Sequence, residues 1–194
     1  MRRFELLTVV VMNLFGRLLL ILLARRWATQ KTAQQVFSDY FRVWFHDLGW
    51  RDHLPNYRFY SFMELGRFSF WHGTGLAHNG SYRVRMIAAQ DFIYLRPLSP
   101  FSRFRCDTQL LGWDDKYLYF RHNFYHRHTL VGIGLVKEAC LIKGQVVKPK
   151  YILGQDPQGD AVIDAWQALQ QQIKNGQPAV AEDSQTDHSG LEIR

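Results

Sequence analysis

The sequence predicts an α+β fold in which an antiparallel β-sheet wraps around one long central α-helix. Three observations predict it. Phe59, Phe62, Met63, Gly66 and Phe70 recur at i, i+3, i+4, i+7 and i+11, the period of a helix with a broad apolar stripe. A strand-like segment, 36–46, rich in Phe, Tyr, Val and Trp, precedes it. Four more strand-like segments, 82–95, 103–112, 116–128 and 130–142, follow with turn signals between them, the order of an antiparallel meander. A helix this apolar needs a sheet to cover it.

The chain opens with a run of nineteen mostly apolar residues, 6–24, flanked by Arg2, Arg3, Arg25 and Arg26 and interrupted by Asn13, Gly16 and Arg17. That length just reaches across a bilayer core, so 1–27 is expected to be a single uncleaved membrane anchor. An in-plane amphipathic helix and a signal peptide stay open beside it. Arg17 is costly in hydrocarbon unless it snorkels or finds a partner. The anchor implies a membrane partner and a membrane-associated protein whose domain lies on the cytoplasmic side.

The domain itself is expected over 28–153. Pro55 fits the first turn of the central helix, where its missing N–H costs nothing, and the helix should end before Gly73 or Gly75. Pro97 and Pro100 separate the first two strands of the meander. Trp113-Asp114-Asp115-Lys116 has hairpin-turn residues, and a short turn near Thr129 joins the last pair. A C-terminal helix is expected within 154–175, from Asp160 to Lys174, with Val162, Ile163, Trp166, Leu169 and Ile173 at helical spacing. The Gln-, Ser-, Asp- and Gly-rich stretch 176–194 reads as a disordered acidic tail.

Composition bounds the functional classes. An apolar fraction of 47 % with 15 % aromatics, in 194 residues, describes one folded domain and excludes intrinsic disorder for the body. Residues 40–150 carry sixteen basic and eight acidic side chains, a net +8 that exceeds the +7 of the whole chain. Such a surplus suits an anionic partner, for example a phosphorylated carrier, and is equally an ordinary basic surface. A nucleic-acid partner is not expected, although Tyr117, Tyr119, Arg121, Tyr125 and Arg127 alternate along one segment. Cys106 and Cys140 lack metal-ligand spacing and are expected to be buried thiols. His122, His126 and His128 share a strand with no carboxylate or cysteine to complete a site, so no metal and no cofactor are expected. Asn79-Gly80-Ser81 matches a glycosylation acceptor and also simply marks a turn.

The densest chemistry lies in residues 47–67, which place Asp47, Asp52, His53 and Asn56 at the entrance of the central helix. The first-turn N–H groups of a helix have no partner within it, and the dipole favours negative charge there. A carbonyl under attack would find oxyanion donors at that end.

This stretch resembles the D-L-D-x-x-x-H-x-N-N-x-x-Y pattern of acyl-ACP thioesterases and thioesterase-like proteins, and the element order resembles the hotdog fold they share. Met63-Glu64-Leu65-Gly66-Arg67, Leu110-Leu111-Gly112-Trp113-Asp114-Asp115 and the apolar N-terminus are most similar to the membrane-anchored group called thioesterase superfamily member six. Asp47 matches the first Asp of the pattern, His53 the His and Asn56 the second Asn. Gly49 stands at the second Asp, the catalytic carboxylate of 4-hydroxybenzoyl-CoA thioesterases; Pro55 replaces the first Asn and Phe59 the Tyr.

The resemblance implies an acyl-CoA or acyl-ACP thioesterase that works as a homodimer, or else a noncatalytic acyl-binding or scaffold protein. As an enzyme it would use Asp47 or Asp52 to activate water or attack, His53 to orient or shuttle protons, and the backbone N–H groups of Asn56 and Tyr57 as oxyanion donors. Phe62, Met63 and Phe70 would line an acyl pocket, and Asp52 or Glu64 would supply the carboxylate missing at Gly49. By residue type alone Asp47, Asp52 and Asn56 also serve as turn or cap residues, His53 as a structural imidazole, Glu64 as a solvated helix residue, and the Met63 and Phe stripe as core.

Overall fold

The computed structural model describes residues 2–76 and 84–176, with side chains described from Leu14 onward and from Arg85 onward after the gap. The Asn79-Gly80-Ser81 site and the acidic tail from residue 177 lie outside the described residues. The elements are α1 (Arg2–Trp27), β1 (Phe37–Arg42), α2 (Phe45–Leu48), α3 (Asn56–Gly73), β2 (Val84–Tyr94), β3 (Arg103–Trp113), β4 (Leu118–His126), β5 (Thr129–Ile142), β6 (Gln145–Val147), α4 (Pro149–Leu153) and α5 (Ala161–Asn175). This is an α+β hotdog-like arrangement, with a curled antiparallel sheet around α3.

Phe59, Phe62, Met63 and Phe70 of α3 are almost wholly buried. They meet the inward side chains of the sheet: Phe62 packs on Phe41 and Phe104, and Phe70 on Phe37 and Phe120. Each such burial contributes about 1.5–3 kcal/mol. Gly66 lets α3 approach β3 and β4 closely, because a Cβ there would overlap Thr108 Oγ1. Within this core Glu138 accepts from Arg67 Nε at 2.8 Å and Trp71 Nε1 at 2.9 Å. Cys106 and Cys140 are buried free thiols.

The sheet runs β1-β3-β4-β5-β2 with β6 beside β5. β3, β4 and β5 form three consecutive strands of the four-stranded meander expected, and an Asp114 turn, whose Oδ1 accepts from the Lys116 and Tyr117 amides, joins β3 to β4. β2, however, pairs with β5 and not with β3. The connection carrying Pro97 and Pro100 is no hairpin. Its first residues, Leu95 and Arg96, donate to Val131 O, and the chain then crosses to lay β3 against β1. β2 is thus a sheet edge, with Met86, Ile87 and Ile93 exposed. β1 is shorter than its apolar segment because Val43 leaves the ladder to pair with Phe101 and Ser102, and α2 starts after Trp44. Asp160 caps α5 by accepting from the Val162 amide at 2.8 Å, and Ile163 and Trp166 press α5 onto Tyr119 on the outer sheet face.

The expected N-terminal membrane helix is corrected by the structure. Among the described residues no helix is long and apolar enough to cross a membrane. The membrane anchor, the membrane partner and the membrane-associated location fall with it. The physical reason lies in what α1 does instead. Ile21 belongs to the domain core, Leu14 and Leu18 pack against that core, and α1 lies along α3. Arg17, which needed a partner, has one in Asp47, and Arg25 has Asp39. A helix whose Arg17 and Arg25 are paired to carboxylates of the domain is docked on it.

Candidate active site

The site is built where the chain turns from α2 into α3. Asp47 caps the N-terminal end of α2 by accepting from the Trp44 amide at 2.9 Å. Gly49 follows with φ 63° and ψ −114°, a left-handed backbone in which a side chain is strained. A Cβ built there would stand 3.6 Å from the Tyr57 hydroxyl. Leu54, fully buried, fixes the far end of the loop by donating its amide to Leu98 O at 2.9 Å. Pro55 is the N-cap residue, one position ahead of the first turn, so Asn56 and Tyr57 open the helix.

A cleft of about 180 Å³ lies at this opening. His53, Asn56 and Phe59 form one wall; Tyr94, Arg96 and Pro97, from the end of β2 and beyond, form the other. Tyr94 Oη donates to Asn56 O at 3.3 Å, and its ring leans on Phe92 and Phe59. Burial, and then the hydrogen bond with Tyr60, push the Tyr94 phenol well above its ordinary range, so it stays a proton donor. His53 Nδ1 is 2.6 Å from Asp52 Oδ1. The hydrogen bond from His53 holds the exposed Asp52 carboxyl below its ordinary value. An imidazole bonded to a carboxylate through Nδ1 has its Nε2 left for chemistry.

The other expected site residues lie elsewhere. Asp47 has no exposed surface. Its Oδ1 receives Arg17 Nη1 at 3.1 Å and Arg58 Nε at 2.9 Å, and its Oδ2 receives Arg17 Nη2 at 2.7 Å. Burial works to raise this carboxyl, but the hydrogen bonds from Arg17 and the Trp44 amide, with the Arg17 charge, hold it below the ordinary value. Phe62, Met63 and Phe70 have no exposed surface and fill the core, and none of the three lines the cleft. Glu64 is exposed on the far side of α3. His122 is buried, with Nδ1 at 3.0 Å from Thr108 Oγ1, and His126 Nδ1 meets Arg103 O at 2.8 Å. Among the described residues no group of three His, Cys, Asp or Glu side chains is placed to hold a metal ion.

Sequence reasoning missed Tyr94 and Arg96, which come to the cleft only because β2 pairs with β5. It also missed Arg17 and Arg58 as partners of Asp47. The one signal for Arg17 was its charge inside an apolar run.

A family model described as the thioesterase-like superfamily matches residues 43–150. That match is to the superfamily as a whole and singles out no membrane-anchored group. No curated protein matches the chain. Among solved structures, a hypothetical protein from Aquifex aeolicus is 18 % identical, covers 61 % of this chain and 97 % of its own, and has a TM-score of 0.55. A structure described as a probable thioesterase from Bartonella henselae is 16 % identical, covers 59 % and 98 %, and scores 0.54. A DHNA-CoA thioesterase from Staphylococcus aureus is 8 % identical, covers 74 % and 96 %, and scores 0.53. At these identities the likenesses show the fold alone.

Proposed function

Because the chain belongs to the thioesterase-like superfamily, we propose that it hydrolyses acyl thioesters, acyl-CoA or acyl-ACP, with His53 as general base. One observation carries this reading: His53, with Nδ1 2.6 Å from the Asp52 carboxylate, sits on the wall of a cleft that opens onto the first turn of α3. Asp52 accepts the Nδ1 proton and fixes the tautomer, and Nε2 takes a proton from water. The water oxygen bonds to the thioester carbon, and the resulting oxyanion is met by the amides of Asn56 and Tyr57. Collapse breaks the C–S bond, the thiolate recovers the proton from His53, and a carboxylic acid and a free thiol leave. Phe59 and the Tyr94 ring would hold the first carbons of the acyl group. Arg96 would meet phosphate of the carrier.

The carboxylate route of the family is replaced in this reading, since position 49 is a glycine in a backbone that an aspartate would strain. Asp47 is assigned to holding the loop. Within the superfamily, residues 63–67 and 110–115 support a place near the member six group. The same Gly49 favours a second reading, a protein that binds acyl thioesters without cleaving them.

Thiol release from acyl-CoAs of graded chain length by the full chain separates the two. Turnover that rises above the uncatalysed rate for at least one length is expected. Saturable acyl-CoA binding with no thiol release would leave the binding protein, and neither binding nor release would remove both.

A further inference from the structure

Four elements converge on one buried carboxylate. Asp47 on α2 is held by Arg17 from α1, by Arg58 from the first turn of α3, and by the Trp44 amide at the exit of β1. Arg17 Nη2 also donates to Arg42 O at 3.1 Å, and its guanidinium lies 4.9 Å from the centre of the Phe62 ring. Arg17, Ile21 and Arg25 follow at i, i+4 and i+8, so they share one face of α1. Arg25 repeats the arrangement, donating to Ser69 Oγ at 2.8 Å and to Asp39 Oδ1 at 2.9 Å, with Ser69 Oγ donating to the same Asp39 oxygen at 3.0 Å. Ile21 is buried between the two clamps.

We propose that α1 is a clasp that assembles the active site, and that Arg17 is its positioning residue. This rests on the hydrolase reading above. The loop bearing Asp52 and His53 is tied at its near end through Asp47 and at its far end through Leu54. Between those ties His53 must stay in line with the first turn of α3. Arg17 makes two of the hydrogen bonds to Asp47 and supplies a charge that burial of this carboxylate requires. Without them the near tie loosens, and a displacement of about 1 Å in a catalytic group costs on the order of a hundredfold in rate. Arg17 touches no substrate. It acts through Asp47 on where His53 stands.

The test compares full-length Arg17→Gln, Arg17→Lys and Arg26→Gln, the last an exposed arginine of the same helix. The substrate is the acyl-CoA of the graded series that the parent chain cleaves fastest, and amide hydrogen exchange is the second readout. Arg17→Gln is expected to lower kcat at least tenfold with KM changed less than threefold. Its amides at 50–57 should exchange at least tenfold faster while those of β4 and β5 keep their protection. Arg17→Lys should recover part of both losses, and Arg26→Gln should change neither. A folded Arg17→Gln with unaltered kcat and unaltered exchange at 50–57 would overturn the proposal. Loss of protection throughout the sheet in both Arg17 variants would also overturn it, by making the residue one of global stability. If the parent chain releases no thiol, the hydrolase reading fails, and exchange at 50–57 still decides whether α1 sets the loop.

Discussion

The 2.6 Å contact of Asp52 with His53 lies at the surface, so solvent competes for it and it adds little stability; in the proposed mechanism it would orient the imidazole. Asp52→Asn is therefore expected to lower kcat by about a hundredfold while leaving the urea midpoint in place; an unaltered kcat would remove Asp52 from the dyad. Deeper in the molecule the same chemistry has another cost. Glu138, accepting from both Arg67 and Trp71, is 2 % exposed. Glu138→Leu strands the Arg67 guanidinium in the core and should cost about 3–5 kcal/mol in urea unfolding. Gly66→Ala should cost about 1–3 kcal/mol in the same experiment, since its Cβ would overlap Thr108.

At the scale of elements, α1 is the one whose removal tests most. A chain starting at Ala28 loses Ile21 from the core and leaves Asp47 and Asp39 without their α1 arginines. It should be at least about 3 kcal/mol less stable than the full chain, read as a lower urea midpoint; equal midpoints would mean that α1 is a mere appendage. The elements differ in how readable they were. α3, α5 and the β3–β5 meander announce themselves through long runs of one period. β6 and α4, with three and five residues, have no period to show. The partner of β2 was hidden because ladder order is decided by the crossing after Pro97, which no local pattern encodes. α1 misled because its apolar run is long enough for a bilayer, while the residues that claim it, Asp47 and Asp39, lie 30 and 14 positions from their arginines. The cleft divides the same way. His53 and Asn56 are neighbours on one loop and helix start, so their sequence proximity brings them together. Tyr94 and Arg96 arrive from about forty residues away, through the sheet.

For the whole molecule, the pH dependence of stability follows from buried titratable groups. Burial, and then the charge of Arg67, hold His122 well below its ordinary value, so it is neutral in the native protein. Its contribution is complete above the unfolded value of about 6.5 and is lost as pH falls below it, at up to about 1.4 kcal/mol per pH unit. Asp47, whose folded value is also lowered, adds a further loss below about pH 4. Asp39 runs the other way, because burial outweighs Arg25 and Ser69 and raises it; its contribution is full in acid and fades as pH rises through its folded value. The net expectation is a urea midpoint that declines from pH 7 to pH 5, with His122→Gln flattening that decline; the same slope in His122→Gln would remove the histidine as its cause. The proposed activity would draw on the surface histidine instead. The most direct measurement of the central claim is therefore kcat/KM for hydrolysis of the acyl-CoA that the full chain cleaves fastest, by the full chain and by His53→Ala, side by side, with the fold of each checked by its urea midpoint. A fall of two or more orders of magnitude at an unchanged midpoint is the predicted result. Hydrolysis that proceeds equally well without His53 would contradict it.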